Sequence, residues 1–165
     1  MGNSTFKNYF IIEFDKPFTA FYAVEDSILH EGATSVTCDH AGAIITFSTK
    51  RGEMVNARVT SSFISLEQAE RNLKELGDGN LEDVKEKGRQ RWNEILGRVE
   101  VKDDNVDPLR TYYSCLYRSV LFPRSFYELD EDGNPIHYSP YNGEVRPGRM
   151  FSDTGFWDTF RALFP

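Results

Sequence analysis

The residues best suited to chemistry lie near the end of the sequence, in Phe156-Trp157-Asp158-Thr159-Phe160-Arg161. Sugars present apolar C–H faces and rings of hydroxyls. An aromatic plane covers the first, and a carboxylate accepts two hydrogen bonds from neighbouring hydroxyls. Trp157 and Asp158 together offer both. Two structural readings stand beside this one. Asp158 in a first helical turn complements the helix dipole, with Trp157 as core. Arg161, one turn on, pairs with Asp158, while Asp153 caps the same helix.

A second candidate is Glu128-Leu129-Asp130-Glu131-Asp132-Gly133, whose acids alternate before a glycine as in a calcium loop. The twelfth position is Ser139, where a bidentate Glu is required. The other reading is an acidic β-turn in which Gly133 supplies a positive φ. The three His are scattered, and the two Cys, Cys38 and Cys115, have no zinc spacing. Cys38 falls in an apparent strand and Cys115 in an apparent helix; the two could pair, but two buried free thiols are the preferred reading. No metal ligand is assigned.

The frame that must position these residues changes character along the chain. Phe10–Phe14, Thr19–Val24, Ala43–Ser48 and Val55–Phe63 are short, β-branched or aromatic, and separated by turn residues at Asp15-Lys16-Pro17, His40-Ala41-Gly42 and Arg51-Gly52. Val55, Ala57, Val59 and Ser61 alternate with polar neighbours, which predicts a half-buried strand with those four facing inward. At Ser65-Leu66-Glu67-Gln68 a capping box is expected to start a helix. Leu66, Ala69, Leu73 and Leu76 continue it, and Gly77 to Asn80 end it. A second helix is expected over 81–96. Its mixed Glu, Lys and Arg residues make a solvated face with i,i+4 pairs. Arg98 to Lys102 is a short strand or extended link. A third helix starts near Asp107-Pro108 and runs to Leu121, with Pro123 ending it. Residues 124–149 look irregular apart from one hairpin at Asp132-Gly133-Asn134-Pro135. A terminal helix follows.

A hydrophobic share of 39% with 13 Phe and 8 Tyr supports a folded core. The net charge of −7 opposes a nucleic-acid surface, and no apolar run is long enough for a membrane span. Met1 to Thr5 lacks the parts of a signal peptide.

The run Phe156-Trp157-Asp158-Thr159-Phe160-Arg161-Ala162-Leu163-Phe164-Pro165 resembles the Trp-Asp-Thr-aromatic-Arg motif of glycoside hydrolase family 92. Leu121-Phe122-Pro123-Arg124, His137 to Gly143, and Phe63 to Ala69 with Trp92-Asn93 resemble the same family. These are calcium-dependent, inverting exo-α-mannosidases, many of them from gut Bacteroidetes. The resemblance implies an α+β chain. It would hold an antiparallel β-sandwich portion (1–64), linker helices with a connecting strand (65–105), and the first helices of an (α/α)6 barrel (106–165). It places Trp157 and Asp158 in the subsite for terminal mannose. It puts the acid, the base and the calcium ligands in later barrel segments, so no catalytic residue is assigned here. Glu128, Asp130, Glu144 and Asp153 are not given those roles.

The expectation is therefore a fragment of an enzyme that removes terminal mannose, α-1,2-linked, from glycans. The parent is expected to be periplasmic or extracellular, and the fragment to be inactive alone and to self-associate through faces that a missing C-terminal barrel would cover. A non-catalytic carbohydrate-binding or adhesion module, an (α/α)6 glycosidase acting on glucosides, and a structural module are the alternatives.

Overall fold

A computed structural model describes residues 6–153. The chain is mixed α+β: strands come first, then helices, then short strands. It divides into two compact units, residues 11–59 and the remainder, within the ribbon formed by β1 (Tyr9–Phe14) and β5 (Ala57–Ser62).

In the unit 11–59, β2 (Ala20–Glu25) lies antiparallel between β3 (Ile28–Glu31) and β4 (Ala41–Thr46). Val24 faces Leu29 in one register and Gly42 in the other. The strand β3 has no counterpart in the sequence reading. Its hairpin turn is only Asp26-Ser27, and both residues take a positive φ, 43° and 80°. That is the two-residue turn whose twist suits a hairpin, but its usual marker is Asn-Gly. The loop back to β1 is tied by Asp15, whose carboxylate accepts from the Asn56 backbone N–H at 2.9 Å and from its side-chain amide at 2.6 Å. The Asn56 amide, acting first, holds the Asp15 pKa below its ordinary value. Cys38 sits in a bend between β3 and β4 rather than in a strand, because β3 ends at Glu31 and β4 begins only at Ala41.

In the second unit the polypeptide leaves β5 into α1 (Leu66–Leu73). Ser65 is its N-cap, extended at φ −162°, and Ser65 Oγ accepts from the Gln68 N–H at 3.1 Å. The expected capping box is only half made here, since the Gln68 side chain bonds elsewhere. A complete box forms at α2 (Leu81–Leu96). Asn80 Oδ1 accepts from the Glu82 and Asp83 N–H groups, and Asp83 Oδ2 accepts from the Asn80 N–H. The solvated face of α2 carries ion pairs as expected, but Lys85–Glu82, Arg89–Glu86 and Arg91–Glu94 stand at i,i+3 rather than at the expected i,i+4. Hydrogen bonds from Arg89 lower the Glu86 pKa to about 2. Such exposed pairs contribute little to stability.

Residues 98–102 are a link that starts in a turn and forms no strand. It is held against α3 (Val106–Ser119) by the Tyr113 hydroxyl, which accepts from the Val101 N–H and donates to the Val99 carbonyl. Asn105 caps α3, and Leu109, Tyr112, Tyr113 and Leu116 on it are half-buried. Trp92 of α2 meets Tyr117 of α3 at 4.6 Å between ring centroids. The helix ends at Ser119, short of the expected Leu121, because Val120 already leaves helical geometry. Cys115 is exposed on this helix and Cys38 is half-buried, so the two thiols are free but neither is buried.

The stretch read as irregular with one hairpin, 124–149, contains four strands, and a fifth follows it. β6 (Arg124–Ser125) pairs with β10 (Phe151–Ser152), and β8 (Pro135–Tyr138) lies antiparallel between β7 (Glu128–Leu129) and β9 (Val145–Pro147). The hairpin at 130–135 is the one expected. Where α1 meets the end of β5 and this sheet, Ala69, Ser62, Gln68, Ser139 and Tyr138 are buried. Phe63 stacks there between Phe6 and Phe126, at 4.9 and 5.0 Å.

The inward face expected for β5 is reversed. Arg58, Thr60 and Ser62 are the more covered side, and Val59 is 61% exposed. The period-2 pattern fixes which residues share a face, not which face finds a partner. Ser62 is covered because its Oγ accepts from the N–H groups of Ile64 and Ser65 at the turn into α1.

The Asp26-Ser27 turn gives a direct test. Ser27→Gly should stabilise the unit by about 1 kcal/mol, since glycine removes the left-handed steric cost. Ser27→Val should destabilise it by at least as much. Urea midpoints of the two variants, measured together, check the direction and the sign reversal.

Candidate functional site

Trp157, Asp158 and Arg161 lie outside the described residues, as does the stretch expected to form a terminal helix. What is described is the frame that leads to them. Three parts of the second unit are tied by one polar knot. The buried Gln68 (3% exposed) donates through Nε2 to Asn72 Oδ1 at 2.9 Å and to the Leu129 carbonyl at 2.7 Å, and its Oε1 accepts from Arg71 at 2.7 Å. Asn72 Nδ2 donates to the Ser61 carbonyl at 3.0 Å and to Glu128 Oε2 at 2.7 Å. Glu128 Oε1 accepts from the Phe63 N–H at 3.1 Å. Both Glu128 oxygens therefore hold structure. A carboxylate held in this way is poorly placed to work as an acid or base.

Beside the knot is a cavity of about 120 Å³, lined by Phe63, Phe126, Tyr127, Glu128 and His137 among others. It falls short of the ~300 Å³ at which ligand clefts begin. His137 Nδ1 is 2.9 Å from the Gly148 carbonyl, so this nitrogen carries the proton. That bond ties β8 to the loop after β9.

The acidic run closes on itself. Asp130 Oδ1 accepts from the backbone N–H groups of Asp132 at 3.0 Å and Asn134 at 2.8 Å. Gly133, at φ 79°, donates its N–H to the Asp130 carbonyl at 3.1 Å. The Asn134 N–H is the main reason the Asp130 carboxyl titrates below its ordinary value of 3.8. Among the described residues no three His, Cys, Asp or Glu side chains converge as a metal site requires. Glu144 likewise faces Arg146 and Asn142, which lower its pKa.

Asp153 is the last described residue before the Trp-Asp motif. It adopts a left-handed φ of 65°. The groups it would cap as a helix N-cap lie outside the described residues; within them it presents Oδ2 to both Nε and Nη2 of Arg124. Nothing local in the sequence marks this pair, whose members stand 29 residues apart.

Comparison with known proteins fits the frame just described. Residues 1–62 match the family model for the glycosyl hydrolase family 92 N-terminal domain, and residues 68–165 that for its catalytic domain. The chain belongs to glycosyl hydrolase family 92. It is 45% identical to a family 92 inverting mannosidase from Bacteroides thetaiotaomicron, with a TM-score of 0.90 over 98% of this chain and 22% of that one. A family 92 α-mannosidase from the same organism shares the fold at 24% identity and a TM-score of 0.76, over 94% of this chain and 22% of that one. A further glycosyl hydrolase of family 92 matches at 26% identity and a TM-score of 0.76, covering 93% of this chain and 20% of its own length. The comparison with curated proteins gave no match. The chain thus spans about a fifth of the length of these solved structures.

In family 92 terms the knot sits at the seam of the two domains. Ser62 is the last residue matched by the N-terminal model and Gln68 the first matched by the catalytic one. Both are buried.

The Asp130 turn yields a pH dependence. Its folded pKa is depressed, so its contribution to stability is fully present above the ordinary value of 3.8 and is lost as pH falls through the lower folded value. The Asn134 amide resonance should shift with that midpoint, below 3.8, in an NMR titration. In Asp130→Asn, which keeps an acceptor oxygen without a titrating proton, the shift should vanish while the hairpin persists.

Proposed function

We propose that the whole protein is an inverting α-mannosidase that removes terminal mannose, α-1,2-linked residues first, from glycans. In it this stretch of chain supplies Trp157 and Asp158 to the mannose subsite. The carrying observation is the 45% identity over 98% of this chain to a solved inverting mannosidase. The match of residues 68–165 to a catalytic-domain model favours an enzyme over a carbohydrate-binding or adhesion module.

Inverting hydrolysis needs one carboxyl to protonate the leaving oxygen and a carboxylate on the opposite face to activate water. The four acids weighed as candidates are engaged elsewhere: Glu128 in the knot, Asp130 in its own turn, Glu144 with Arg146 and Asp153 with Arg124. We therefore assign the acid and base to segments outside residues 1–165, and read the isolated chain as inactive. Trp157 covers the apolar face of the sugar, and Asp158 fixes the hydroxyls, which lowers the barrier through orientation. Calcium follows from the family resemblance. The described residues do not fit it, so its ligands are assigned outside this chain and no step is drawn through it.

The parent is read as periplasmic or extracellular, where glycan substrates are met. Among the described residues no helix is long and apolar enough to cross a membrane. Val106, Tyr117, Val120 and Phe122 stand exposed on and just after α3, and apolar surface of this kind supports self-association of the isolated chain. In the whole protein the same surface is read as covered by an (α/α)6 barrel that begins with residues 106–165.

Two measurements test the reading together. The isolated chain should give no turnover of an aryl α-mannoside. In the whole protein, Asp158→Asn keeps the shape but weakens charge-assisted hydrogen bonds of about 1.5–3 kcal/mol each. The ratio kcat/KM should then fall roughly tenfold to several hundredfold, with little change in Tm. Normal kinetics in a folded Asp158→Asn protein would remove Asp158 from the subsite.

A further inference from the structure

We propose that His30 and Glu25 form a proton-controlled clasp across the β2–β3 hairpin. With His30 charged the pair tightens the strained turn at Asp26-Ser27, and with His30 neutral the hairpin slackens. The inference stands on atoms of the unit 11–59 alone and does not depend on the mannosidase reading.

The hairpin needs such a contact. Its strands are joined by two non-glycine residues in the left-handed region, Asp26 at φ 43° and Ser27 at φ 80°. Residues of this kind hold that conformation only where their surroundings fix it. Packing does little of that work here. β3 is four residues long and stands at the edge of its sheet, and Ile28 and Leu29, next to the turn, are 61% and 55% exposed. A hairpin so short and so little covered is marginal by itself.

Register brings the two side chains together. His30 lies opposite Ala23, and Ile28 opposite Glu25. His30 and Glu25 are therefore diagonal neighbours on one face of the ribbon. Their polar ends meet, with His30 Nε2 3.1 Å from Glu25 Oε2. That nitrogen is buried and has no aligned hydrogen-bond partner, although the ring is partly exposed. A neutral ring offers the carboxylate a lone pair or, in its other tautomer, an uncharged N–H. The imidazolium offers a charge-assisted bond after a small turn of the ring. Histidine is the side chain whose charge changes between about pH 5 and 8.

The paired residues that share this face are otherwise apolar: Ile28 on β3, Phe21 and Ala23 on β2, and Ala41, Ala43 and Ile45 on β4. The titratable groups nearest along the chain are Asp26 in the turn, Glu31 on the other face of β3, and Asp39 and His40 just before β4. The contribution of the pair is thus present in mild acid and is lost as pH rises through the imidazole titration. It is lost again in stronger acid, when Glu25 takes a proton.

The test is amide exchange on the whole protein at about pH 5.5 and about pH 8, on either side of histidine titration. Rates are corrected for the intrinsic pH dependence of exchange. Peptides spanning 20–32 are followed by mass spectrometry, with α1–α3 as the internal reference. In the wild type, protection of 22–31 should be about threefold greater at the lower pH, the size set by a partly exposed pair. His30→Gln and Glu25→Gln should each abolish that ratio, and the double variant should do no more than either, as groups acting through one bond require. Equal protection at the two pH values in the wild type overturns the clasp. So does a ratio that survives in His30→Gln, which assigns it to Asp26, Asp39 or His40. A ratio that survives in Glu25→Gln overturns it as well, because His30 then acts without its partner. If His30→Gln loses protection across the whole of 11–59, Glu25→Gln, which keeps the shape of the side chain, decides alone.

Discussion

The buried carboxamide of Gln68 is the point on which the arrangement of the second unit depends. It touches α1 through Asn72 and Arg71 and β7 through the Leu129 carbonyl, and Asn72 carries the connection to Glu128 and to the Ser61 carbonyl at the end of β5. A buried polar group without partners is costly, whereas a fully satisfied network specifies one packing. Gln suits this place because it must donate twice and accept once. A carboxylate has no donor for Leu129 O, and an aliphatic side chain would leave the Asn72 and Arg71 groups unmatched. The surface ion pairs of α2 are exposed and screened, and they decide little.

From this knot the order passes outward to the site. Gln68 and Glu128 hold β7, β7 fixes the start of the β7–β8 hairpin, and His137 ties β8 to the Gly148 carbonyl. The chain then returns as β10 beside β6 and reaches Asp153. The family seam at residues 63–67 runs through the knot. One network therefore lies at the seam between two sequence domains and anchors the β7–β8–β9 sheet.

Much of this frame was legible where local chemistry decides. Residues 81–96 form the expected helix because Asn80 caps it and Gly97 ends it. The turn at 130–135 forms because Asp130, Gly133 and Asn134 are made for it. Misses arose where distant partners decide. Gln68 was assigned to its own helix cap, but Leu129 and Asn72 take its side chain. The alternation in β5 was right in period and wrong in face, since burial there follows Ser62 and its turn. β3 was missed because its turn adopts positive φ without glycine. Strands of two to four residues between 124 and 152 are too short to show a period. At the candidate site, Trp157 and Asp158 stood out by residue type and motif. The Arg124–Asp153 pair carried no signal at all, because its members meet only through the pairing of β6 with β10.

The central claim is that this chain frames the sugar subsite of an inverting α-mannosidase. Proton NMR of the first minutes of α-mannoside hydrolysis by the whole protein tests it most directly. The account predicts that β-mannose appears first and only later equilibrates with the α-anomer. Initial release of α-mannose, or no release of mannose at all, would contradict it.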